Sequence, residues 1–172
     1  MKKAALVVLV LLLAGCGYST RSLLPTRFRT IYIEPFENKV DYMNTTERKL
    51  YIPGMETRVR EAVVDRYLFD GNLRIGNKDT ADLVLKGQLL SFEREQLSLQ
   101  PNESVQEYRL RVTVALELVD TVEKQPMWKE SSFAGEATYY TVGPLAKPEA
   151  QAIDEAVKDL ALRVVARTVE AW

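Results

Sequence analysis

From Tyr108 to Leu118 the chain alternates without a break. Tyr108, Leu110, Val112, Val114, Leu116 and Leu118 fall on one side of an extended backbone, and Arg109, Arg111, Thr113, Ala115 and Glu117 fall on the other. Successive side chains of a strand point to opposite faces, so eleven residues of this pattern specify a β-strand with one buried face and one wetter face. Such a strand needs partners beside it and an apolar layer over its buried side. The rest of the chain must supply both.

Partners are legible on either side. Ala81-Asp82 leads into a strand from Leu83 to Phe92, where Leu83, Leu85 and Leu89 share a face. Gly87 interrupts that face and marks either a bulge or a close approach by another element. Trp128 to Tyr140, through Phe133, Gly135, Ala137 and Tyr139, reads as a third strand. Thr30-Ile31-Tyr32-Ile33-Glu34-Pro35-Phe36 reads as a fourth, with Pro35 at its end or on an edge. Leu73-Arg74-Ile75 is a candidate stub. Residues 37–52 are polar and aperiodic and read as loop. Leu97 to Val105, through Pro101-Asn102-Glu103, reads as a hairpin loop.

Two helical segments supply the apolar layer. Pro53-Gly54 opens one that runs to about Asp70, with Met55, Val59, Ala62, Val63 and Tyr67 on one face and Gly71-Asn72 as the stop. Pro148 to Trp172 is the other, with Ile153, Val157, Leu160, Ala161, Val164, Val165, Val169 and Trp172 recurring every three or four residues. At 1.5 Å per residue it reaches close to ~40 Å. The order points to an α+β domain, with two helices packed on one face of a roughly four-stranded mixed or antiparallel sheet.

The N-terminus reads differently. Met1-Lys2-Lys3 precedes an apolar run from Ala4 to Ala14 and then Gly15-Cys16. This is a secretory signal, and its apolar run is shorter than the ~20 residues of a spanning helix. Leu13-Ala14-Gly15-Cys16 forms a lipobox, which makes Cys16, the single cysteine, the site of lipid attachment. Cleavage before it removes 15 of 172 residues and leaves 157; the loss of Lys2 and Lys3 moves the formal net charge from −1 to −3. More than one acyl chain on a residue anchors a protein firmly. Gly17, rather than aspartate, favours the outer membrane by the lipoprotein sorting rule. The expected organisation is a signal peptide over 1–15, a lipidated tether over 16–29 and a single α+β domain over 30–172.

Composition removes most chemistry. With no histidine there is no imidazole base, no Ser-His-Asp triad and no histidine metal ligand. One cysteine makes no internal disulfide and no zinc cluster. A near-neutral charge gives no footprint for nucleic acid. Glu93 and Glu95 are the nearest paired carboxylates, and they read as solvated. Ser91, Ser98, Ser131 and Ser132 have no lysine base at Ser-x-x-Lys spacing. The expectation is a protein that is not an enzyme and carries no metal or cofactor beyond the lipid on Cys16. The cations carry more interest. Arg109 and Arg111 project in parallel from the wetter face of the long strand, a geometry suited to phosphate, although a cross-strand ion pair with Glu93 or Glu95 explains them equally. Lys147 sits in a loop before the last helix, where binding groups collect.

Taken in order, several short motifs resemble the LptE family of outer-membrane lipoproteins. They are Cys16-Gly17-Tyr18 with Leu24-Pro25; Ile31-Tyr32-Ile33-Glu34-Pro35-Phe36-Glu37-Asn38; Ala81-Asp82-Leu83 with Gly87; Glu107-Tyr108-Arg109-Leu110; and Leu145-Ala146-Lys147 before the closing helix. The resemblance implies two helices on a four-stranded sheet. It implies a place on the periplasmic side of the outer membrane, plugging and helping to assemble an LptD-type β-barrel and binding lipopolysaccharide. It assigns lipopolysaccharide contacts to basic residues in the hairpin loop before the long strand and near the loop before the last helix. Lys147 falls on the second position. Pro101-Asn102-Glu103 has no positive charge for the first, for which Arg94, Arg109 and Arg111 lie nearby. The competing reading is a lipoprotein of another outer-membrane assembly, of the curli-secretion type, whose first strand also reads apolar-Pro-Phe-Glu-Asn.

Overall fold

The computed structural model describes residues 24–41, 49–99 and 105–170. The signal stretch and Cys16 lie outside them, as do the hairpin residues 100–104 and Trp172. The strands are β1 (Thr30–Ile33), β2 (Glu37–Asn38), β3 (Arg74–Ile75), β4 (Leu83–Leu99), β5 (Val105–Asp120) and β6 (Gln125–Tyr140). The helices are α1 (Met55–Asp70), between β2 and β3, and α2 (Glu149–Val169), at the end.

Along the sheet the order is β3-β1-β4-β5-β6, and β2 pairs with β4 off that path. β1 runs parallel to β3 and β4, and β2 runs parallel to β4. β4, β5 and β6 form an antiparallel meander. The sheet is therefore mixed, and it has six strands where the sequence indicates about four. The surplus comes from β3, which falls on the candidate stub at Leu73-Arg74-Ile75, and from β2, two residues in a stretch that reads as loop and too short to carry a period. The hairpin is also longer than expected: β4 continues to Leu99 and β5 begins at Val105. Residues 97–99 and 105, at the two ends of the stretch that reads as loop, therefore belong to the ladder.

The alternation of β5 translates directly into burial. Leu110, Val112, Val114, Leu116 and Leu118 are at most 2% exposed. Both helices cover this face. α1 packs against β3 and β4, and α2 against β5 and β6. The helices run parallel to each other, with Arg58 ion-paired to Asp154 at their N-terminal halves. At their C-terminal ends the buried Tyr67 hydroxyl donates to Thr168 Oγ1 at 2.7 Å. Thr168 in turn donates to Val164 O at 3.0 Å. Burial raises the Tyr67 pKa far above its ordinary value, so this phenol remains a donor. α1 begins directly after Gly54 (φ 76°) and stops at Gly71 (φ 76°), whose N–H reaches Tyr67 O at 3.0 Å. A positive φ at a helix terminus suits glycine.

Two core glycines mark close approaches. At Gly87 a Cβ would run into the Phe36 ring, with Cε1 at 2.5 Å. Of the two readings of Gly87, close approach is the one realised. Pro35 breaks the chain between β1 and β2, and this lets Phe36 fold back over Gly87. At Gly135 a Cβ would stand 2.5 Å from Ala156 O and nearer still to Leu160 N. The α2 backbone thus rides directly on β6, helped by the buried Ala152, Ala156 and Ala161.

The start of β1 is tied down by polar groups. Asp82 Oδ2 accepts from the N–H groups of Arg29 (2.8 Å) and Thr30 (2.9 Å) and from the Thr30 hydroxyl (2.9 Å). The Arg29 N–H leads the causes that hold the Asp82 carboxyl below its ordinary range, and they outweigh the opposing effect of desolvation. Residues 24–29 rest on the domain, and Phe28 joins the core. Arg27 pairs with the buried Asp120 (2.8 Å) and with Glu123 (3.0 Å) in the turn after β5.

The outer edge of β6 is not left bare. Pro126 removes one N–H. A register shift lies opposite Val114/Leu116. The Glu136 N–H donates to Asp159 Oδ2 of α2 at 2.9 Å. Beyond it, Ala146 bridges to Tyr140, whose carbonyl accepts from the Lys147 N–H at 3.2 Å.

Candidate functional site

The pleat places Arg109 and Arg111 on the face of β5 away from the helices. Both point at one carboxylate on the next strand, because Arg111 is the ladder partner of Glu136. Arg111 Nε donates to Glu136 Oε1 at 2.7 Å, and Nη2 lies at the same distance from that oxygen. Arg109 Nε stands 3.7 Å from Glu136 Oε2, and its Nη1 stands 3.7 Å from Glu95. The cross-strand pair foreseen with Glu95 is present; Glu136, on a strand whose polar positions read as Ser and Thr, is the partner the sequence did not single out. Further along the same face Glu117 lies between Lys86 and Lys129, 4.0 Å from each. These three side chains help to line a shallow pocket of about 170 Å³ with Glu34, Glu37 and Gln88.

Lys147 is held elsewhere. Its ammonium pairs with Glu155, two turns into α2. That hydrogen bond is the foremost cause holding the Glu155 carboxyl below its ordinary range, ahead of opposing desolvation. Lys147 therefore belongs to the helix layer, whereas Arg109 and Arg111 belong to the open face. The structure does not bring the three cations to one point.

A second cluster lies at the N-terminus of α2. Arg94 is the ladder partner of Leu110 and so faces the helices. Its Nη1 donates to Glu149 Oε1 at 3.2 Å, and its guanidinium sits 5.1 Å from the Tyr108 ring centroid. Tyr108 stacks on Tyr139, with ring centroids 5.5 Å apart. Desolvation opposes the Arg94 charge, but Glu149 outweighs it and the pKa rises. Desolvation likewise raises the Tyr139 pKa. Sequence spacing hints at this group only through Tyr108 and Tyr139, which each share a face with core residues.

Among the described residues no group of three or more metal-ligating side chains comes together, and no helix is long and apolar enough to cross a membrane. Chemically, the open face offers guanidinium and ammonium groups already paired with carboxylates.

A mixed sheet backed by two helices on one side, and ion-paired on the other, defines a two-layer α+β module with one open sheet face. Solved structures with this fold include lipoprotein B from Nitrosomonas europaea, at 17% identity and TM-score 0.51, over 90% of this chain and 92% of that one. Another is CT253 from Chlamydia trachomatis, at 12% identity and TM-score 0.53, over 81% and 95%. PelC from Paraburkholderia phytofirmans, a dodecamer in its crystal, shares 13% identity at TM-score 0.50, over 87% and 96%. At such identities the likeness is one of fold. Curated protein sequences give no match. The LptE lipopolysaccharide-assembly family matches residues 28–168, from the segment before β1 almost to the end of α2. The chain belongs to that family.

Proposed function

We propose that the chain is a non-catalytic, lipid-anchored subunit of the outer-membrane lipopolysaccharide translocon. It fills the lumen of an LptD-type β-barrel and assists that barrel's assembly. The family match over residues 28–168 carries this reading, because it spans nearly the whole folded domain. Cys16 holds the lipid, and the domain stands on the periplasmic side of the outer membrane. The surface chemistry supports a plug. Barrel interiors are polar, and the open face of β4–β6 presents charged side chains in pairs that a polar wall can share.

Lipopolysaccharide phosphates are the anions this surface suits. A phosphate that displaces Glu136 meets the forked donors of Arg109 and Arg111 in the bidentate manner that guanidinium favours. Lys147 serves a separate contact, released from Glu155. The test is recovery of the mature lipoprotein from outer-membrane extracts at native expression. A large β-barrel is expected to co-purify, and recovery of the domain alone overturns the plug. For the second part, charge reversal of Lys147, Arg109 and Arg111 together is expected to weaken lipopolysaccharide binding. Unchanged affinity at low salt, where phosphate pairing is strongest, makes the three residues structural.

A further inference from the structure

The parallel arrangement of the helices gives the domain two unlike ends. At one end lie the C-terminus of α1, the start of β1 and the turn between β5 and β6. Hydrogen bonds join them into a rim: Arg74 N–H to Arg29 O at 2.9 Å, Asp82 to Arg29 and Thr30, and the Thr121 hydroxyl to Ala81 O at 2.8 Å. The described chain enters the fold here, through residues 24–29.

This rim is unexpectedly apolar. Leu68 and Phe69, in the last turn of α1, are 62% and 80% exposed, and Val122 in the β5–β6 turn is 78% exposed. Each sits where a polar residue would cost nothing in the fold. Phe69 contacts only the Arg66 guanidinium, 5.1 Å from its ring centroid, among the ring contacts described. Arg29, Arg74 and Lys78 stand exposed on the same rim, as do Asp79 and Glu123, the latter paired with Arg27. An aromatic ring and aliphatic tips bordered by long cationic side chains match the boundary of a phospholipid leaflet, where the apolar part dips below the headgroups and the cations stay at their level.

Chain length selects that occupant. Only seven residues separate Cys16 from Leu24, and the eight steps between the two reach at most ~28 Å when fully extended. The rim into which residue 24 leads is therefore the part of the domain nearest the anchored lipid. We infer that, before the domain enters a barrel, Leu68, Phe69 and Val122 dock on the phospholipid surface to which the tether leads, so that the free domain stands on the membrane in a fixed orientation with its helix C-termini down. This rests on the lipid-anchor reading of Cys16 for the tether, but the docking is a property of the folded rim.

The test uses the full mature lipoprotein with Phe69→Trp, reconstituted in vesicles of phosphatidylethanolamine and phosphatidylglycerol with or without brominated acyl chains. A matched protein carries Leu145→Trp instead, at the opposite end of the domain, where Leu145 is equally exposed. Bromine-dependent quenching of the residue 69 tryptophan at least about threefold stronger than that of the residue 145 tryptophan is expected. Equal or absent quenching overturns the inference. A blue shift at residue 69 that appears only with a co-purified barrel, without bromine quenching, also overturns it and assigns the rim to protein contact. Intact mass reads the lipid on Cys16 separately. If that lipid is missing, the anchor reading fails, while added vesicles still decide the rim. There, quenching upholds docking and no quenching refutes it. The Leu68→Ser, Phe69→Ser, Val122→Ser variant of such an unlipidated chain is expected to bind vesicles about tenfold more weakly. Unchanged binding counts against the inference.

Discussion

Replacing Gly135 with alanine adds one methyl group where α2 rests on β6. The new Cβ falls 2.5 Å from Ala156 O and closer to Leu160 N, against the 3.4–4 Å of ordinary contact. The shortfall is about 1 Å, and the obstructing atoms belong mostly to helix backbone, which has no rotamer to change. α2 must lift as a unit, and a gap of 0.5–1 Å already forfeits a quarter to a half of each van der Waals contact along the seam. Overpacking of this kind costs ~1–3 kcal/mol. For a domain of this size each kcal/mol moves the melting temperature ~2–4 °C. Gly135→Ala is thus expected to melt about 2–12 °C lower, with a matching fall in the urea midpoint. Gly87→Ala is the informative counterpart, because it meets only the Phe36 ring. Combined with Phe36→Leu, its penalty is expected to fall, with a coupling of ~0.5–3 kcal/mol. Ala156→Gly should give Gly135→Ala no such relief. A Gly135→Ala protein within ~0.5 kcal/mol of the parent, or one rescued by Ala156→Gly, refutes the helix-on-glycine account.

Tyr67→Phe keeps the packing of α1 on α2 and removes one buried hydrogen bond, while Thr168 retains its bond to Val164 O. A loss of about 1 kcal/mol in urea unfolding is expected; no loss would mean that the hydroxyl contributes nothing. Asp82→Asn is expected to destabilise the domain at neutral pH. The Asp82 pKa is depressed in the fold, so its contribution is present above the ordinary value of 3.8 and fades as pH falls below it. Melting temperatures of parent and variant should therefore converge below about pH 4, and a gap that stays constant into acid contradicts the assignment.

The buried half of this fold is readable because burial is periodic. The face from Tyr108 to Leu118 and the stripe from Val157 to Val169 each repeat often enough to identify strand and helix. β3 shows in the sequence only as the stub at Leu73-Arg74-Ile75, and β2 escapes because two residues have no period; the pairing of both is decided by neighbours that only the folded chain assembles. The hairpin between β4 and β5 was shortened for a related reason. Glu93, Arg94, Glu95 and Gln96 are polar, yet they continue the ladder, with Arg94 facing the helices to meet Glu149. The candidate site was partly legible. The parallel projection of Arg109 and Arg111 follows from strand geometry, but their common partner Glu136 depends on the register of β6, which bulges near Leu116. The pairing of Lys147 with Glu155 depends on how the loop after Tyr140 turns back onto α2, and local sequence does not encode that turn.

The covered edge of β6 bears on how such a protein behaves before it finds its place. A terminal strand of 16 residues is an open template on which a second copy, or any extended chain, can add itself and start a growing stack. Pro126, the bulge, the Asp159 carboxylate on the Glu136 amide and the Ala146 bridge interrupt that template at four points along its length. No free run of donors and acceptors long enough to seed association is left. A second copy therefore finds a poor template along β6. Contact with another protein on this side of the sheet falls to side chains on its face, because the amides of the β6 edge are largely engaged within the chain itself.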